Sequence, residues 1–170
     1  AGGFTLFAPS EETLSSGLYS KRYLKGQLAV ALGGRVIEEI VYGKEEITTG
    51  ASNDLQQVRN IARRMIAQWG YAKDQLAPVA WESPDGNGGF GPQGASLETE
   101  QAIDEQVKLL VADAYQVCFK TLSDNRDLVE ELTELLLEKE TVDYVELEAL
   151  IAKYYPDRST AEAAPLPAVA

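Results

Sequence analysis

The chain of 170 residues contains no histidine and a single cysteine, Cys118. Lack of histidine removes the commonest general base and a principal zinc ligand from any chemistry the chain performs alone. Cysteine–imidazole and serine–imidazole pairs are excluded with it. One cysteine excludes an internal disulfide and a cysteine-rich metal site. Cys118 falls within a helical apolar pattern and is expected to be a small core residue rather than a reactive thiol. Long apolar runs are also missing. Stretches such as Leu28-Ala29-Val30-Ala31-Leu32 are far short of the roughly 18 to 20 residues that span a bilayer. The first nine residues carry no charge and no long apolar stretch, so they are not read as a signal peptide. With no initiator Met, the chain is expected to begin inside a longer protein. Positive charge is scarce: 15 Lys and Arg stand against 27 Asp and Glu, a net charge of −12. That balance argues against a nucleic-acid partner and against docking on anionic lipid, both of which need clustered cations.

What is present suits one soluble domain with a real core: 45% of residues are hydrophobic and 25% charged. Phe4 to Ala8 is short, aromatic and closed by Pro9, which predicts a strand. A helix is expected from about Ser20 to Tyr42, because Leu24, Leu28, Leu32, Val36 and Ile40 recur every four residues. Gly33-Gly34 inside it predicts a kink or a close contact. The next helix is expected to start at Ser52 or Asn53, with Gln56 as the reciprocal partner of an Asn53 cap. Its predicted core face is Leu55, Val58, Ala62, Met65 and Trp69, and Gly70 closes it. The Gly- and Pro-rich stretch at about 83–95 predicts a mobile loop, with a short strand possible at Pro78 to Trp81.

Three further helices are expected. The first runs from about Leu97 to Leu122 with Ile103, Val107, Leu110, Ala114 and Val117 inward. The second spans Asp124 to about Lys139 with Leu128, Leu132, Leu135 and Leu136 inward. The third starts near Val142, where Asp143 and Glu146 have the spacing of a capping box. Residues 157–170 are Ala- and Pro-rich without an apolar pattern and are expected to be disordered. The fold class is therefore mainly α, a helical bundle-like domain over 1–156 with one or two short β-strands near the N-terminus.

Most familiar catalytic motifs are absent. There is no His-Glu-x-x-His and no Walker-type Gly-Lys-Ser/Thr. The literal G-x-G-x-x-G at Gly89 to Gly94 follows Ser83-Pro84-Asp85-Gly86-Asn87 rather than a strand, so it reads as loop. The segment Thr48-Thr49-Gly50-Ala51-Ser52-Asn53-Asp54-Leu55 is more informative. It is a polar turn opening a helix, with Asp54 in the first turn, where the helix dipole favours a carboxylate. On these grounds Asp54 is a helix-stabilising acid that could also serve as a hard oxygen ligand, and one ligand does not make a site.

The run Leu28 to Gly43, the segment 48 to 55, Ser123-Asp124-Asn125-Arg126 and Leu136 to Thr141 together resemble the peptidase domain of FtsH-type ATP-dependent zinc metalloproteases. The similarity covers residues 1 to 155 in order, and the opening Ala1 to Glu12 looks most like the cyanobacterial and chloroplast branch. The resemblance implies that Asp54 is the third zinc ligand. It also implies that a His-Glu-x-x-His helix precedes residue 1 and brings two histidine ligands and a glutamate general base. Gly3, Phe4, Thr5, Leu6 and Phe7 would form a strand along whose edge a polypeptide substrate could bind.

Glu38 and Glu39 are rival acids, expected to serve in ion pairs or behind the metal. Arg35 is expected to be structural. Zinc is the implied cofactor, with ATP and Mg in another domain of the parent. The implied parent is a membrane-anchored homo- or hetero-hexamer that degrades damaged or unassembled membrane proteins. It would sit in a chloroplast thylakoid or a cyanobacterial or other bacterial membrane, with this domain on the soluble side and not touching the bilayer. The segment alone would be inactive, and loss of the metal helix would uncover the row Leu24, Leu28 and Leu32. The other reading is a non-catalytic helical interaction or oligomerisation module, which the missing histidines also fit.

Overall fold

The computed structural model of the chain describes residues 18–72, 76–83 and 95–157. Among them are five α-helices: α1 Lys21–Tyr42, α2 Ser52–Ala67, α3 Leu97–Asp124, α4 Arg126–Lys139 and α5 Tyr144–Tyr154. The chain divides into two compact units, 1–120 and 121–170. The expected strand at Gly3 to Phe7, the Gly89 to Gly94 motif and almost all of the expected loop and tail lie outside the described residues.

In the first unit α1 and α2 pack on one another. Ser20 caps α1 by accepting from the Tyr23 N–H at 3.1 Å, which satisfies one of the four donors that a helix start leaves without partners. The four-residue row then buries Leu24, Leu28, Leu32 and Val36, as the periodicity requires. These leucines face the core, so they are not the surface expected to be uncovered. The exposed apolar residues of α1 lie elsewhere on it, among them Val30 (53% exposed) and Val41. Helix α1 continues unbroken through Gly33 and Gly34.

Helix α2 buries Val58, Ala62 and Met65 as expected, together with Ile66 and Ala67. The two ends of the expected face do not follow. Leu55 is 42% exposed at the open start of the helix, and Trp69 lies past its end with the Arg64 guanidinium over its ring, 4.8 Å from the centroid. Helix α2 ends at Ala67 with Gln68 in the cap position; Gly70, expected to close it, lies beyond in the left-handed region at φ 64°, and the Tyr71 N–H returns to the Met65 carbonyl at 2.9 Å.

The possible strand at Pro78 to Trp81 does not form. Pro78 has no N–H to give to a ladder, and the Trp81 and Glu82 N–H groups instead donate to the Ala67 carbonyl at 2.7 and 3.1 Å, capping α2. No strand occurs among the described residues.

Helix α3 buries Ile103, Gln106, Leu110, Ala114 and Cys118. Val107 is half-buried and Val117 exposed, so the buried stripe runs through Cys118 rather than through its neighbour. Arg63 ties α2 to this helix and to the 76–83 segment. Its Nε donates to Glu82 at 2.8 Å, its Nη2 to Glu82 and to Glu100 (2.7 Å), and its Nη1 to Asp104 at 3.3 Å.

The second unit holds the end of α3 with α4 and α5, and α4 packs on α5. None of the four leucines expected to face inward on α4 is fully buried: Leu128, Leu132 and Leu135 are half-buried and Leu136 exposed. Two short helices provide only a partial cover for one another. The capping box of α5 is complete. Asp143 accepts from the Glu146 N–H at 2.9 Å, and Glu146 accepts from the Asp143 N–H at 3.1 Å.

Candidate metal centre

The turn before α2 is built on hydrogen bonds that reach back to α1. The Glu38 carboxylate accepts from the Thr48 N–H at 3.0 Å and from the Thr48 hydroxyl at 2.8 Å. These two bonds, the backbone one first, hold the Glu38 carboxyl below the usual carboxylate range. Thr48 Oγ1 in turn accepts from the Gly50 N–H at 3.2 Å. Gly50 suits this close approach, because a Cβ there would stand 3.2 Å from the same oxygen. The Ser52 N–H and hydroxyl both donate to the Thr49 carbonyl. The expected cap at Ser52 or Asn53 with Gln56 is therefore not the one used. Ala51 occupies the cap position without a side-chain bond, and Ser52 is spent on the turn.

Asp54 is the third residue of α2 and lies in its first turn, as the sequence predicts. Its carboxylate is exposed and accepts no hydrogen bond and joins no ion pair among the described residues. Across from it is Gly34 of α1, where a Cβ would come within 3.9 Å of Asp54 Oδ2. An unengaged hard-oxygen donor beside a side-chain-free stretch of helix has the chemistry and the room for one bond to a cation such as zinc.

The rival acids Glu38 and Glu39 are otherwise engaged. Glu39 pairs with Arg35 at 3.6 Å and with Lys44 at 3.7 Å, and the Tyr115 hydroxyl beside it is pushed up in pKa by burial and by that carboxylate. Glu39 thus takes the ion-pair role expected of it, whereas Glu38 is spent on hydrogen bonds to Thr48. Among the described residues no three His, Cys, Asp or Glu side chains come together as a metal cluster. Among the described residues Asp54 therefore fits one ligand of a zinc site, with no second His, Cys, Asp or Glu pair beside it to make a cluster. Sequence reasoning did not anticipate the use of Thr48 or the apposition of Gly34 to Asp54. The available signal was the four-residue spacing of Gly34 and Glu38, which puts both on one face of α1.

Comparison with known proteins decides the family. The model of peptidase family M41 matches residues 1–150. The chain belongs to that family. It is 52% identical over 157 residues to the ATP-dependent zinc metalloprotease FtsH 3 of Synechocystis, a match covering 89% of this chain and 25% of that protein. It is 47% identical over 155 residues to the chloroplastic ATP-dependent zinc metalloprotease FTSH 1 of Arabidopsis thaliana, and 46% identical to that of rice, Oryza sativa subsp. japonica. Each of these two matches covers 88% of this chain and 22% of the relative. The M41 chain thus spans about a quarter of the length of these relatives. Cys118, buried in α3 with its thiol pKa raised by that burial, is a core residue of this M41 domain. Among the described residues no helix is long and apolar enough to cross a membrane.

Proposed function

We propose that this chain is the C-terminal part of the proteolytic domain of a membrane-anchored, ATP-dependent zinc metalloendopeptidase, and that Asp54 is the third protein ligand of its zinc. The observation that carries this reading is the free Asp54 carboxylate at the start of α2, facing Gly34, in a chain of family M41. The zinc would supply Lewis-acid polarisation of the scissile carbonyl and of the attacking water. Asp54 would hold the cation from one side, and the Glu38-bound turn would keep that carboxylate oriented. The histidines and the general base would come from a segment preceding residue 1. Substrates would be damaged or unassembled membrane proteins, and the parent would assemble as a hexamer in a thylakoid or bacterial membrane. Its relatives of cyanobacterial and chloroplast origin support that assignment.

The test uses two proteins. In the parent carrying the preceding segment, Asp54→Asn is expected to lower bound zinc well below one per chain and to abolish casein cleavage. The chain of 170 residues, lacking histidine, is expected to bind no stoichiometric zinc and to cleave nothing. Stoichiometric zinc with caseinolytic activity in the latter, or an unaltered zinc content in the Asp54→Asn parent, would overturn the reading. A parent without His-Glu-x-x-His upstream would favour the non-catalytic helical module instead.

A further inference from the structure

Glu38 has a role that neither its charge nor its place on α1 alone explains. A half-exposed glutamate on a helix ordinarily pairs with a neighbouring cation or points into water. This one turns both carboxylate oxygens onto a single residue ten positions later, taking the Thr48 N–H at 3.0 Å and the Thr48 hydroxyl at 2.8 Å. The hydroxyl is then oriented with its lone pairs free, and one accepts the Gly50 N–H at 3.2 Å. Thr49, between them, offers its carbonyl to Ser52, the first residue of α2. Two sets of bonds, Glu38–Thr48–Gly50 and Thr49–Ser52, therefore interleave along the turn between Glu38 and the helix start two residues before Asp54. One turn back along α1, Gly34 leaves the space that the Asp54 carboxylate faces.

We propose that Glu38 is a positioning residue: through Thr48 it fixes the start of α2, and so fixes the Asp54 carboxylate over Gly34 in the geometry that receives the cation. The proposal rests on the reading of Asp54 as a zinc ligand. Glu38 is assigned no ligand role: each of its oxygens already accepts from Thr48, which turns the carboxylate onto the turn. Carboxylates and amides that orient a ligand from behind are worth about 10- to 100-fold in metal affinity. The arrangement also makes Thr48 and Glu38 one device, so the two must be non-additive when removed together.

The experiment measures zinc affinity in the full-length parent and amide shifts in the metal-free 170-residue chain. Glu38→Ala and Thr48→Val are each expected to weaken zinc binding by about tenfold or more, the double variant no further, and Thr48→Ser is expected to keep wild-type affinity. In the metal-free chain, Glu38→Ala is expected to move the amide resonances of Thr48, Gly50 and Ser52 while leaving those of Met65 and Ile103 in place. If Glu38→Ala weakens zinc but Thr48→Val does not, Glu38 is acting as a ligand and the proposal fails. If both leave zinc affinity unchanged while Asp54→Asn abolishes it, the positioning role fails and the reading of Asp54 stands. If Asp54→Asn also leaves it unchanged, the reading of Asp54 fails, and the positioning role fails with it.

Discussion

The carboxylate of Asp54 faces the bare backbone of Gly34, 3.9 Å from the point where a Cβ would project from α1. That distance is ordinary contact, so a methyl group fits there beside the Asp54 carboxylate. Gly34 lies in a helix interior, where glycine is disfavoured against alanine by about 0.5–1 kcal/mol. Gly34→Ala is therefore expected to raise the urea midpoint of the chain by that increment. Gly34→Val is expected to lose the gain, since its branched methyls reach the Asp54 oxygens and it is a weaker helix former. Equal midpoints for the two variants would show that nothing beside Gly34 limits side-chain size.

Arg63 draws together three acids from two other parts of the first unit: Glu82, Glu100 and Asp104. The Arg63 side chain is only 29% exposed, so its removal leaves three carboxylates facing one another, of which Glu82 is the least exposed. Arg63→Ala is expected to destabilise the chain by about 1–3 kcal/mol, measured by chemical denaturation. Arg63→Lys should recover little of it, because an ammonium cannot send separate, fixed N–H groups to three partners. The loss should shrink in high salt, where repulsion among the remaining acids is screened.

The first helix was legible almost to the residue, for a physical reason. Its apolar row repeats every four residues over four turns, and one buried face fits that row. Helix ends were less legible because periodicity says nothing about what neighbouring segments supply. Leu55 and Trp69 continue the α2 row on paper, yet the helix begins at an open end and stops at Ala67, where Trp81 and Glu82 cap it. On α3 the choice between Val117 and Cys118 turns on about 100° of rotation, which a tolerant apolar pattern does not resolve. Asp54 could be singled out because a motif carries it. Its surroundings could not, because the bonds from Glu38 and the bare face at Gly34 join residues 10 and 20 positions apart.

The corrected core faces can be checked by truncation. Met65 is fully buried, and Met65→Ala is expected to cost about 2–5 kcal/mol in unfolding free energy. Val117, at 59% exposed, should tolerate Val117→Ala within about 0.5 kcal/mol, although it lies on the face that simple periodicity assigns to the core. A large loss at Val117 would mean that Cys118 does not define the buried stripe.

In the second unit Glu131 joins α4 to α5, accepting from Lys153 at 2.7 Å through each oxygen and from the Tyr154 hydroxyl at 2.8 Å. The Lys153 bond, and after it the Tyr154 bond, holds the Glu131 carboxyl below its ordinary range. The same carboxylate pushes the Tyr154 phenol up to about 12. A carboxyl with a lowered folded-state pKa stabilises above its unfolded value, and that contribution disappears as pH falls through the lowered one. A phenol with a raised pKa contributes fully below its unfolded value near 10, and its contribution disappears as pH rises through about 12. The α4–α5 contact is thus strongest between the two limits and loosens on either side. Phenolate absorbance on alkaline titration should show one tyrosine ionising near 12, later than an ordinary phenol. Tyr154→Phe should remove one tyrosine's share of the late absorbance, and Glu131→Gln should bring that share down towards the ordinary phenol value, since a neutral amide no longer opposes the phenolate charge. Because the Tyr115 phenol is raised as well, the readout is amplitude: a Tyr154→Phe variant that loses none of the late absorbance would remove Glu131 as the cause of a late Tyr154 step.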